Sequence, residues 1–188
     1  MPEPGAQFEN SASYLQSMID AVREVGAFER VEAKLQGDPL EALRAPRKKP
    51  WWPGSVLSAI TAALHEATDG ATVQRVAYLS TKNGVAPVAM PLIKVTFALF
   101  GPSPHTIFAK ASAYATTAVR GLELDWKKDG DRSGVLWASY PIAVPASYAD
   151  VWKGTLQFVF ELTKVTGAFG AIRHERDGRT LQIPVSWS

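Results

Sequence analysis

The chain has 188 residues, 46% of them hydrophobic and 20% charged, which is the size and composition of one globular domain. We read residues 1–188 as a single domain in which residues 1–10 form a loose tail. There is no cysteine, which excludes disulfides, thiolate zinc sites, iron–sulfur clusters and cysteine nucleophiles. Twenty basic against 18 acidic residues give a formal charge of +2, too balanced to signal nucleic acid.

The start, MPEPGAQFEN, lacks the basic and apolar segments of a signal peptide. No uninterrupted apolar run reaches the ~20 residues of a bilayer span. The longest is broken by Lys94 and Thr96. A cytoplasmic protein without a transmembrane segment is the expectation.

Tyr14, Leu15, Met18, Ile19, Val22 and Val25 recur at helical spacing, with Ser11 or Ser13 as cap. Gly26 bends or ends this helix, and Ala27 to Leu35 resumes it. Asp38-Pro39-Leu40-Glu41 reads as a capped helix start with Asp38 as the cap. Residues 44–54 form a break rich in proline, cations and tryptophan. Ser55 to Ala67 is a strong helix ended by Gly70, and a short helix follows around Val73–Leu79. Lys82-Asn83-Gly84 reads as a turn. Pro91 to Phe100 suits a buried helix, with a strand as the alternative. Ser103 caps the next helix, with Pro104 at its first position and Ile107, Phe108, Ala111, Tyr114, Ala115 and Ala118 facing inward.

After Gly121 the period changes from about 3.6 to 2. Leu122, Leu124 and Trp126 alternate with Glu123, Asp125 and Lys127, and Lys128 to Asp131 turns the chain into a strand carrying Val135, Leu136 and Trp137. Ser147 to Thr166 is the best helix, with Gly167 at its end. Strands over Ala168–Arg173 and Thr180–Trp187 follow, and Pro184 points to an edge strand or a bulge. The fold expected is α+β: a helical N-terminal half, then β-hairpin, long α-helix and β-hairpin, with about four antiparallel strands and helices on one face.

Chemical motifs are sparse. His65, His105 and His174 fall on different elements without metal-pair spacing. There is no GxSxG elbow and no P-loop. The Asp129/Asp131 and Glu123/Asp125 pairs suit turn and surface roles. Arg44, Arg47, Lys48 and Lys49 beside Trp51 and Trp52 form a basic–aromatic cluster. It would suit an anionic partner, although tryptophans turned inward onto the core are the commoner arrangement. Trp126, Trp137 and Trp187 fall on apparent inward strand faces, lining a ligand cavity or filling the core.

Two resemblances follow. Leu99-Phe100-Gly101-Pro102 opening a helix, the Trp126/Trp137 hairpin, and Tyr148…Gly154…Leu156…Gly167-Ala168 before Asp177-Gly178 and Trp187 resemble a family of paralogous proteins from myxobacteria. That family supplies no activity. More distantly, residues 55–187 resemble in layout the fold shared by haem-based nitric-oxide sensors, vinyl-reductase-type ligand-binding domains and vesicle-tethering subunits. In the haem sensors a histidine before the first hairpin ligates iron and a Tyr-x-Ser-x-Arg motif holds the propionates. Here Tyr114 and Ala115 stand in that neighbourhood, His105 comes earlier, and no such motif occurs. No cofactor is therefore expected.

The resemblance leaves an apolar ligand cavity between helices and sheet, with Tyr114, Trp126, Trp137 and His105 as candidate contacts. The leading reading is a non-enzymatic sensory or interaction module with a small hydrophobic ligand, and a protein partner or homodimer as further expectations. Two alternatives stand beside it. One is an enzyme site assembled from His105, Tyr114 and Glu161. The other is an adaptor for an anionic surface working through Arg47, Lys48, Lys49, Trp51 and Trp52.

Overall fold

The computed structural model describes residues 7–175 and 177–188. Among these, the order is β1 (Glu9–Ser11), α1 (Ala12–Glu24), α2 (Phe28–Glu32), α3 (Gly37–Arg44), β2 (Trp51–Pro53), α4 (Gly54–Ala67), α5 (Gly70–Ser80), α6 (Ala86–Phe100), α7 (Pro104–Phe108), α8 (Ala111–Ala115), β3 (Val119–Arg120), β4 (Glu123–Gly130), β5 (Ser133–Ser139), α9 (Tyr148–Thr163), β6 (Gly167–Phe169), β7 (Arg173–Glu175) and β8 (Thr180–Trp187). This is the expected α+β arrangement. It has two antiparallel sheets rather than one: β2-β1-β3, and a five-stranded sheet ordered β4-β5-β8-β6 with β7 also on β8.

The small sheet overturns part of the tail expectation. Phe8 is buried, and Glu9 to Ser11 pair with Trp51–Pro53 on one side while Glu9 and Asn10 pair with Val119–Arg120 on the other. A three-residue strand carries no readable alternation, so the signal lay below what pattern can detect. Residues 1–6 lie outside the described residues.

Several helix ends follow the side-chain chemistry. Ser11 accepts from the Tyr14 amide at 3.3 Å and Ser103 from the Thr106 amide at 3.2 Å, each satisfying a first-turn donor. Asp38 does not cap α3. It sits in the first turn after Gln36, where its charge still favours the helix N-terminus. Gly70 opens α5 rather than ending α4, because Asp69 accepts from the Thr72 amide at 2.7 Å. The long helix α9 ends on Lys164, in left-handed conformation (φ 56°), while Gly167 begins β6.

Lys82-Asn83-Gly84 is not a turn. Residues Thr81–Val85 form a π-helical turn that joins α5 to α6 in one 31-residue helix, Gly70–Phe100, with Pro91 inside it. By length and composition alone this helix could cross a membrane, but its first half packs against α1 and α9. Nor is α6 wholly buried. Ala89, Ile93 and Thr96 face inward, while Val88, Leu92, Val95, Leu99 and Phe100 lie exposed. The helix is apolar on both faces, so periodicity could not separate inside from outside.

In the larger sheet, Leu136, Ala138, Leu181, Ile183 and Val185 meet Trp152, Leu156 and Phe160 of α9. The α9 helix crosses α5 closely at Gly154, where an added Cβ would stand 2.0 Å from the Gln74 carbonyl oxygen. Pro184 is not on an edge strand. β8 is central, between β5 and the β6/β7 side, and that side breaks between Phe169 and Arg173, opposite the proline. A residue without an N–H cannot support a continuous ladder there.

Candidate functional site

The three hydrophobic clusters of the chain meet around one cavity of about 160 Å³. Its walls come from β1, the inner face of α6, the short helices α7 and α8, the β4–β5 hairpin and α9. Each wall follows from local sequence. Gly101-Pro102-Ser103 stops α6 and restarts the chain as α7. The break after Phe108 then lets α8 turn Tyr114 inward, where its hydroxyl donates to Thr96 Oγ1 at 3.0 Å.

Among the described residues the lining contains no lysine, arginine, histidine, aspartate or glutamate. Its polar side chains are Asn10, Trp152, four tyrosines and two threonines. Trp152 Nε1 donates to the Tyr140 hydroxyl at 2.8 Å, and the Tyr148 hydroxyl pairs with Ser58 Oγ at 3.1 Å. Burial pushes the Tyr140 and Tyr148 hydroxyls well above the ordinary phenol range, and raises Tyr14, because a phenolate would be stranded among apolar groups. The site is thus uncharged and stays so across the physiological range.

Of the four candidate ligand contacts, Tyr114 lines this cavity and Trp126, Trp137 and His105 lie elsewhere. His105 points away, its Nε2 2.9 Å from the Asp131 carbonyl oxygen and its ring against Trp126 and Trp187. Trp126 is half-buried in the same aromatic group with Phe108, at a centroid distance of 4.6 Å. Trp137 faces the other side of the sheet. Leu136 and Ala138 occupy the inner positions of β5, and strict alternation puts Trp137 beside Asp125 and Gln182 instead. Counting Trp137 together with Leu136 as inward broke that alternation.

His105, Tyr114 and Glu161 are engaged separately. Glu161 bonds with Tyr78 and Lys82 at the surface, and neither it nor His105 reaches the cavity. His65 lies on α4, 3.9 Å from the Asp150 carboxylate, and His174 lies on β7. Among the described residues no group of three histidines or carboxylates could hold a metal ion.

The basic–aromatic cluster is divided between core and surface. Trp52 is fully buried and donates to the Pro46 carbonyl oxygen at 2.6 Å, with Lys49 over its ring. Trp51 is half-buried under Arg120, 3.8 Å from guanidinium carbon to ring centroid. Lys48 pairs with Glu41, Lys49 lies 3.8 Å from Asp38, Arg44 binds Glu32 at 2.7 Å, and Arg47 is exposed.

The cavity residues missed in sequence are Asn10, Phe8 and Ala89, whereas Ile93 fell in the segment read as a buried helix. Asn10 in particular gave no signal, because the strand that buries it is three residues long.

Comparison with known proteins identifies the fold. An H-NOX protein from K. algicida, in its Fe(II) unliganded state, superposes with a TM-score of 0.62 over 95% of this chain and 96% of its own, at 8% identity. An H-NOX mutant from T. tengcongensis gives 0.56 over 94% and 97%, at 11% identity. An oxygen-binding H-NOX domain related to soluble guanylate cyclases, in its oxygen complex, gives 0.55 over 94% of both chains, at 12% identity. The fold is H-NOX-like. No protein-family model and no curated protein matches the sequence, so the likeness to the myxobacterial paralogues rests on the residue pattern alone.

Haem does not fit the lining. The cavity of about 160 Å³ is smaller than the ~300–1,000 Å³ of ordinary cofactor and ligand pockets. It has no imidazole or thioether to ligate iron and no cation to meet propionates. Its oxygen atoms are the Asn10 amide and the threonine and tyrosine hydroxyls, and burial of Tyr140 and Tyr148 opposes the phenolate that would bind iron.

Proposed function

We propose that this chain is a non-enzymatic ligand-sensing module that holds one small, uncharged, mainly apolar molecule between α6–α8 and the β4–β5/α9 layer. The observation that carries the reading is a cavity of about 160 Å³ without a charged group in its lining, inside an H-NOX-like fold. A cavity near 150 Å³ with apolar walls stays dry and accepts a benzene-sized guest. The test is thermal unfolding with toluene, ethylbenzene and cyclohexane. The midpoint should rise with concentration, by the equivalent of about 2.7 kcal/mol at one hundred times the dissociation constant. A flat midpoint across the series would overturn the reading.

The second feature of the module is its output surface, which we assign to a second copy of this chain. The inner face of α6 lines the cavity through Ala89 and Ile93, and its outer face is an apolar stripe. Val88, Leu92, Val95 and Leu99 are 60%, 46%, 56% and 70% exposed and follow a 4-3-4 spacing. That is the spacing of a coiled-coil seam, which fits another helix better than a lipid surface. The stripe, extended by Phe100, suits the apolar centre of an interface of ~800 Å² per partner.

Sedimentation at tens of micromolar is expected to show a dimer, and Leu92→Lys with Leu99→Lys a folded monomer. A monomeric wild type would remove this part of the reading and leave the cavity untouched.

A further inference from the structure

Asn10 is the polar group of the cavity that the fold leaves unused. It sits at the centre of β1, opposite Trp52 on one side and Val119 on the other, and only 1% of it is exposed. Asn10 is among the residues lining the cavity; its amide nitrogen and oxygen are buried, and neither has a hydrogen-bond partner among the described residues.

The neighbouring polar groups differ. Tyr114 bonds to Thr96, Tyr140 to Trp152, Tyr148 to Ser58, Tyr14 to Ser80, and Thr81 to Thr155. A buried amide with both ends unpaired is rare in folded proteins and calls for a partner that the described residues do not supply.

The chemistry of that partner can be stated. A primary amide presents a donor and an acceptor side by side, so its complement presents an acceptor and a donor at the same spacing. Amides, lactams and protonated carboxylic acids do this, whereas ethers, esters and hydrocarbons do not. A carboxylate is disfavoured, because no cation lines the cavity to replace the water it would lose. The volume of about 160 Å³ limits the remainder to about one ring.

We infer that the cavity selects an uncharged single-ring molecule bearing an amide-type donor–acceptor pair, which Asn10 reads. This rests on the cavity being a ligand site, and it adds the polar half of the recognition.

Titration calorimetry with benzamide, methyl benzoate, toluene and sodium benzoate at neutral pH tests it. Wild type should bind benzamide at least about tenfold tighter than methyl benzoate or toluene, and benzoate weakest; each tenfold step is one hydrogen-bond-sized increment of affinity. In Asn10→Leu the preference should vanish while toluene still binds, which reports that the variant is folded and its cavity intact. Equal affinity of wild type for benzamide and toluene would overturn the inference and leave the apolar cavity standing. No binding of any of the four would overturn both. Should Asn10→Leu fail to fold, the wild-type comparison of benzamide with methyl benzoate decides alone, because the two are close in shape and differ in the donor.

Discussion

The tyrosines around the cavity carry the site's electrostatics. Tyr140 and Tyr148 are buried and Tyr14 is partly so, and desolvation raises each above its ordinary value of 10. The unfolded chain titrates near the ordinary value, so above pH 10 it releases protons that the folded chain keeps. Stability from these groups is therefore complete below about pH 10 and falls as pH rises past it. Phenolate absorbance followed against pH should show part of the tyrosine signal appearing only together with unfolding. Titration of all five tyrosines near pH 10 with the fold intact would contradict their enclosure. Composition and period made Tyr114 legible as an inward residue, since it falls on the apolar stripe of its segment. Asn10 was not legible, because burial of a polar side chain by two sequence-distant strands leaves no trace in a local pattern.

Among the elements, the crossing of α5 and α9 does most to hold the two halves of the chain together. Gly154 permits it, since any larger residue meets the Gln74 carbonyl and the Ala77 methyl. Gly154→Ala is expected to lower stability by about 1–3 kcal/mol, the usual cost of overpacking, despite alanine's better helix propensity. Denaturant unfolding checks this, and a stabilised variant would show that the crossing has slack. The α9 helix itself was plain in sequence, because Trp152, Leu156, Phe160 and Thr163 repeat over about three turns. So were β4, β5 and β8, whose alternation puts Leu136, Ile183 and Val185 on one face. The failures have a shared cause. Asn83-Gly84 is strong turn chemistry, yet the helix carries it through in a π turn, where packing of α5 and α6 outweighs local propensity. Pro184 points to an edge only if both neighbours are continuous, and the break between β6 and β7 removes that requirement.

At the scale of the molecule, the order helices, hairpin, long helix, hairpin was enough to place the chain beside haem sensors, and the H-NOX-like fold agrees with it. The site diverges from that layout. The helices α6–α9 and the β4–β5 hairpin enclose a cavity of about 160 Å³, whose lining among the described residues is uncharged, and His105 bonds outside it to the Asp131 carbonyl. The α6 helix links this cavity to the surface, one face lining it and the other forming the exposed stripe. The central claim is that the interior takes up a small apolar molecule. Methyl NMR of the protein titrated with toluene examines it most directly. Ala89, Ile93 and Leu136, which line the cavity, should shift and saturate together, while Val31 and Leu43 in the N-terminal helical core, which do not line it, stay still. Unchanged spectra, or shifts confined to Val88, Leu92 and Val95 on the outer face of α6, would contradict the claim and turn attention to that surface alone.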